Sequence, residues 1–173
     1  EFCAYWLDGY DWRHWEAQLN TLPQFIATVN DIDIHYVHIK GSNQDNPPLL
    51  ITHGWPGSFF EFFDVLDRIA NPADYGGEAA EGRDVIAPSI PGYAFSGRPQ
   101  KPMGPRAVAA LWNAFMRDAL GIDSYIAQGG DWGAKVMAGL GSAAFIGAFF
   151  SALATLRAAA ETSPAIRACG QYL

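Results

Sequence analysis

The stretch Gln128–Gly133, QGGDWG, limits this chain more than any other. It follows the apolar run SYIA directly and leads into residues of helical character. A turn from a buried strand straight into a helix crowds the residues two before and two after its centre. Gly129 and Gly133 stand there and remove side chains that would collide. Asp131 is then lifted to the carboxyl edge of a sheet, beside the first N–H groups of a helix, where an anion is favoured.

The rest of the chain agrees with a sheet of that kind. YDWRHWEAQLNTLPQF carries Trp12, Trp15 and Leu19 at helical spacing and stops before Pro23. QFIATV and IDIHYVHI are rich in β-branched and aromatic residues. The turn formers of VNDID separate them, which predicts two paired strands. NQDNPP reads as a polar loop, and LLIT as a short buried parallel strand. FFEFFDVLDRIA reads as a helix capped by Ser58, with Glu61 at capping-box spacing. RDVIAP and SYIAQ are further strands. PRAVAALWNAFMRDAL between them is a helix with Pro105 in its first turn and Gly121 past its end. Two strands followed by strand–helix repeats predict an α/β fold, a mainly parallel sheet with an antiparallel start.

In such sheets function gathers at the carboxyl ends of strands. HGWPGS, His53 to Ser58, follows LLIT, and GGDWG follows SYIAQ. The second matches G-x-Nuc-x-G with Asp131 in the nucleophile position, and the first sits where an oxyanion donor loop is expected. An ordinary Gly/Asp turn and a plain Gly/Pro turn would read alike taken singly. The pair, each after an apolar run, is far more specific.

The remaining features exclude classes of function. The formal net charge is −7 with no Lys/Arg cluster, which disfavours nucleic acid. Cys3 and Cys169 are the only cysteines, so no disulfide framework is expected, and a cytoplasmic setting is the default. His35 and His38, three apart on one strand, face opposite sides and cannot form a metal pair there. Neither a metal nor a cofactor is expected.

The chain resembles the epoxide hydrolases of the α/β-hydrolase superfamily, in the branch of the microsomal and juvenile-hormone enzymes. The stretches that carry the resemblance are YDWRHWEAQLNTLPQF, IDIHYVHI, LLITHGWPGSFFEF, DVIAPSIPGYAFSGRP and AQGGDWG, from about Tyr5 to about Ala138. The first belongs to an N-terminal segment that simpler α/β-hydrolases lack. The resemblance implies an incomplete α/β-hydrolase fold in three parts. Residues 1–40 are the N-terminal segment and first strands, 41–138 the first half of the core, and 139–173 an atypical apolar tail.

It also implies a mechanism. Asp131 would attack an epoxide carbon to form an ester, and the backbone N–H groups of Trp132 and Trp55 would hold the charge on the ester oxygen. The two Trp side chains would line an apolar pocket. Pro56 would follow a cis peptide, and His53 would orient its loop without entering the chemistry. The family also needs a histidine base and two cap tyrosines later in the chain. Here all four histidines, His14, His35, His38 and His53, precede Asp131, and Tyr172 is the only tyrosine after it. A haloalkane dehalogenase-like enzyme and an inert remnant of a hydrolase are the alternatives. The N-terminal segment, and Trp55 where dehalogenases commonly carry a polar halide-binding residue, speak against the first.

Residues 136–156 carry no charge. A membrane span needs about 20 such residues. The run is rich in Ala and Gly, of modest hydrophobicity, and continues a helix buried in this fold, so no membrane partner is expected. The expected partners are a small-molecule epoxide and, through an open sheet edge, a second copy of the chain. The tail RAAAETSPAIRACGQYL fits a truncated or frame-shifted end.

Overall fold

A computed structural model of the chain describes residues 1–140. The tail and most of the uncharged run lie outside the described residues. The first residues form two short turns, α1 (Phe2–Ala4) and a wider π turn over Tyr5–Gly9, which the sequence reading did not foresee. Helix α2 (Trp12–Leu19) follows, and the Asp11 carboxylate caps it by accepting from the His14 N–H.

Strands β1 (Gln24–Val29) and β2 (Ile32–Ile39) form the antiparallel hairpin expected from VNDID. Asn30 and Asp31 both take positive φ, the two-residue turn that matches strand twist. The buried strands β3 (Leu49–Thr52) and β4 (Val85–Pro88) follow, and then β5 (Ile126–Gly129). The sheet order is β1-β2-β4-β3-β5; β3 runs parallel to both β4 and β5, and β2 antiparallel to β4. β4 intervenes between β3 and β5 in the chain, yet those two are neighbours in the sheet. That adjacency brings their loops to one edge.

Apolar layers cover both faces of the sheet. On one, Ile34, Leu50 and Ile86 pack against Trp112, Phe115, Met116 and Val136. On the other, Val37, Ile51 and Val85 pack against Phe59 and Leu66. Helix α4 (Pro105–Ala114) begins at proline as expected, but its last turn widens to a π turn over Phe115–Ala119 before Gly121 at φ +69°. Helix α5 covers Trp132–Leu140.

One expected helix is broken. FFEFFDVLDRIA forms a 3-10 turn, Phe59–Phe62, and a separate helix α3, Leu66–Ala70. Ser58 caps the first, but its side chain accepts from the Phe60 N–H, two residues on, as suits the tighter turn. Among the described residues no helix is long and apolar enough to cross a membrane.

Candidate active site

The site is built where β3 and β5 end side by side. Asp131 stands between β5 and α5 at φ +49°, a left-handed conformation that the tight turn imposes. The glycines on either side are needed for contact. A Cβ on Gly129 would come within 2.6 Å of the Gly133 carbonyl carbon, and one on Gly133 would overlap the Thr52 carbonyl oxygen. Across the gap, a Cβ on Gly54 would lie 2.8 Å from the Asp131 Cβ. Glycine at all three positions lets the two loops touch.

The contact is specific. The Trp55 N–H donates to Asp131 Oδ1 at 3.0 Å. Asp131 is held below the usual carboxylate range, first by the Trp55 N–H and then by the Trp132 N–H, with Lys135 adding to the effect. The three residues singled out from the sequence therefore meet. Oδ1 is occupied by a donor, and the carboxylate is exposed to solvent.

The aromatic side chains depart from expectation. A cavity of about 140 Å3 beside the turn is lined by Ile90, Pro91, Tyr93, Met103, Trp132 and Val136. Trp132 lines it as expected. Trp55 does not: its indole stands in solvent, 65% exposed, because its backbone is what faces Asp131. The Trp55–Pro56 peptide is cis.

Three of the four histidines are held by other partners. His53 is fully buried, with Nδ1 3.0 Å from the Gly54 carbonyl and Nε2 accepting from the Ile90 N–H at 3.1 Å. Burial lowers its pKa, against smaller raising effects from the Gly54 carbonyl and Glu61. His35 sits between Ser89 Oγ and Gln24 Oε1, each at 2.9 Å, and burial lowers its pKa to about 4. His38 pairs with Asp84 at 2.8 Å, and His14 stacks edge-on to Trp15 in α2.

Two further polar groups support the site. Trp112 Nε1 donates to Thr52 Oγ1 at 3.1 Å, tying α4 to the last residue of β3. Ser96 Oγ donates to the Ser89 carbonyl and accepts from the His35 N–H, fastening the loop after β4. Trp112 at a helical core position and Ser96 in a turn carry no local pattern that distinguishes them from packing.

Residues 1–62 match the family model for the epoxide hydrolase N terminus, and residues 47–163 that for the alpha/beta hydrolase fold. A putative epoxide hydrolase of Stigmatella aurantiaca is 40% identical over 137 residues, covering 79% of this chain and 31% of its own length. Juvenile hormone epoxide hydrolase 2 of Ctenocephalides felis is 39% identical, covering 79% of this chain and 29% of its own. Among solved structures, the juvenile hormone epoxide hydrolase of Bombyx mori superposes with a TM-score of 0.71 at 30% identity over 80% of this chain and 37% of that one. Aspergillus niger epoxide hydrolase gives 0.67 at 36% identity over 76% and 34%. The chain thus spans about a third of the length of these relatives. On the fold and these matches, the chain belongs to the alpha/beta hydrolase fold family and, within it, is similar to the epoxide hydrolases, whose N-terminal segment it carries.

Proposed function

We propose that Asp131 is the nucleophile of an epoxide-opening reaction and that this chain carries the alkylation half of epoxide hydrolysis. The observation that supports it best is the hydrogen bond from the Trp55 N–H to Asp131 Oδ1. One carboxylate oxygen is held, and the other is left to attack. Oδ2 forms a bond to an epoxide carbon, the carbon–oxygen bond of the ring breaks, and its electron pair stays on the departing oxygen, which takes a proton. The product is a hydroxyalkyl ester whose carbonyl oxygen is Oδ1.

Hydrolysis would then add water to the ester carbon and put negative charge on Oδ1. The Trp55 and Trp132 N–H groups already face that carboxylate, so they would stabilise the charge without rearrangement. Collapse would release a diol and restore the carboxylate. Water activation requires a base, and His35, His38 and His53 are each held by other partners. Epoxide opening is therefore the step this chain can perform.

The test is mass spectrometry after incubation with styrene oxide. We expect one added epoxide mass, located on Asp131 by peptide mapping and lost in Asp131→Asn. An unlabelled Asp131 would overturn the reading. Labelling by a bromoalkane but not by an epoxide would favour the dehalogenase-like alternative.

A further inference from the structure

We infer that the N-terminal segment holds one wall of the cavity beside Asp131 through a one-way chain of hydrogen bonds, with Gln24 and His35 as its positioning residues. The first link sets the direction. The Leu19 carbonyl, at the end of α2, can only accept, so the Gln24 amide turns Nε2 toward it and donates at 2.9 Å. Gln24 Oε1 then faces His35 Nε2 at 2.9 Å and can only accept, which places the ring proton on Nε2. The ring is neutral, because burial lowers its pKa to about 4. Nδ1 is therefore bare, and the Ser89 hydroxyl donates to it at 2.9 Å.

Ser89 is where the strand becomes the wall. It follows β4 directly, is fully buried, and its N–H donates to the His35 carbonyl at 2.8 Å. Ser96 closes the loop from the other end: its hydroxyl accepts from the His35 N–H at 3.0 Å and donates to the Ser89 carbonyl at 2.7 Å. Between the two serines stand Ile90, Pro91 and Tyr93, which line the cavity with Trp132. Gln24, His35 and Ser89 do not line it; they stand behind it. The His35 ring lies 4.9 Å from that of Phe59, which packs with Val37 and Ile51, whereas Ile90 belongs to the core of the opposite face. The three can therefore shape the cavity only through the loop. A buried Ser89 hydroxyl left without its acceptor would be costly, so a break anywhere in the chain loosens the root of the wall.

The bearing on epoxide binding rests on the proposed function; the chain of bonds does not, so the test uses toluene. A dry apolar cavity of this size admits an aromatic ring. Met103 lines the cavity, and Met116 is fully buried in the core. In the chain labelled with 13C-methyl methionine, toluene should shift the Met103 signal and leave that of Met116 in place. Labelling with 15N-histidine should show His35 protonated on Nε2 and bare on Nδ1, the signal being assigned by its loss in His35→Gln. Gln24→Met keeps the side-chain length and breaks the chain at one end; Ser89→Ala breaks it at the other. Each should weaken toluene binding about 2- to 10-fold, the range of one hydrogen bond. The double variant should lose no more than the weaker-binding single variant, because both act on one chain, whereas independent structural losses would add. Additive losses, a variant with the original affinity, the opposite tautomer, or a Met103 signal that toluene does not move would each reject the inference. No epoxide is used, so failure of Asp131 to be alkylated would reject the proposed function and leave this inference standing.

Discussion

The Gly133 Cα packs so closely on the Thr52 carbonyl oxygen that a methyl group there would overlap it. The first turn of α5 is thus pressed onto the end of β3, and this contact sets the distance between Asp131 and the Trp55 loop. The opposing atom is backbone and cannot rotate away. We expect Gly133→Ala to cost about 1–3 kcal/mol, in the range of overpacked interiors. Urea unfolding measures it, and a variant as stable as the original would contradict the contact.

Much of this was legible in the sequence, for a physical reason. The turn needs glycine two residues either side of Asp131 because backbone meets backbone there, so the requirement is written in residue type. The Asn30–Asp31 turn and Pro105 at the start of α4 were legible in the same way. The outward-facing Trp55 indole was not. Residue type cannot say whether a loop presents its backbone or its side chain, and here the N–H at Asp131 decides. The broken helix after Ser58 was hidden too. Its residues suit a helix, and only the packing of Phe59 and Leu66 against the sheet selects a 3-10 turn with a separate helix.

The acid limb of stability should have two parts. His35 is buried between Ser89 and Gln24, and its pKa falls to about 4. A lowered histidine pKa favours the folded state above the unfolded value of about 6.5, and that stability is lost as pH falls toward 4. His53, shifted the same way by burial, adds to this window. We expect a loss of about 2–3 kcal/mol between pH 7 and 4, measured by urea unfolding at stepped pH. His35→Gln should reduce the slope without abolishing it. An unchanged slope would contradict the assignment.

Asp84 governs the lower part. Burial alone would raise its pKa, but Lys40, the Gly41 N–H, His38 and Gln44 all donate to its carboxylate and hold it far below the usual range. A depressed carboxylate stabilises the fold above its unfolded pKa of about 3.9, and the contribution drains away as pH falls further. Asp84→Asn replaces one accepting oxygen with a donor among donors. We expect it to cost about 2–3 kcal/mol at pH 7 and to flatten the dependence below pH 4. Stability within a few tenths of a kcal/mol of the original would show that the cluster is not structural.

At the far side of the sheet, β5 pairs only with β3 among the described residues, and its residues are half-buried. A strand with one free ladder of N–H and C=O groups offers pairing to another chain. We expect light scattering of the isolated chain to show association that grows with concentration. A single monomeric mass across the accessible range would reject it.

The fate of an Asp131 ester is the sharpest expectation. Asp131 sits below the usual carboxylate range, so it stays ionised as pH falls through that range; labelling should weaken only at still lower pH. Alkylation should be slow, because general-acid help to the departing oxygen is worth about 10²–10⁴-fold and Tyr172 is the only tyrosine after Asp131, where the resemblance implies two in a cap. Hydrolysis should be slower still. His35, His38 and His53 are engaged with Ser89 and Gln24, with Asp84, and with Gly54 and Ile90, while His14 lies in α2 against Trp15. The ester should therefore accumulate to one equivalent and persist, with little diol formed. A time course read by intact mass and by diol release separates the two steps. Sustained diol production by these 173 residues would overturn the expectation, because a base able to activate water would then lie among them.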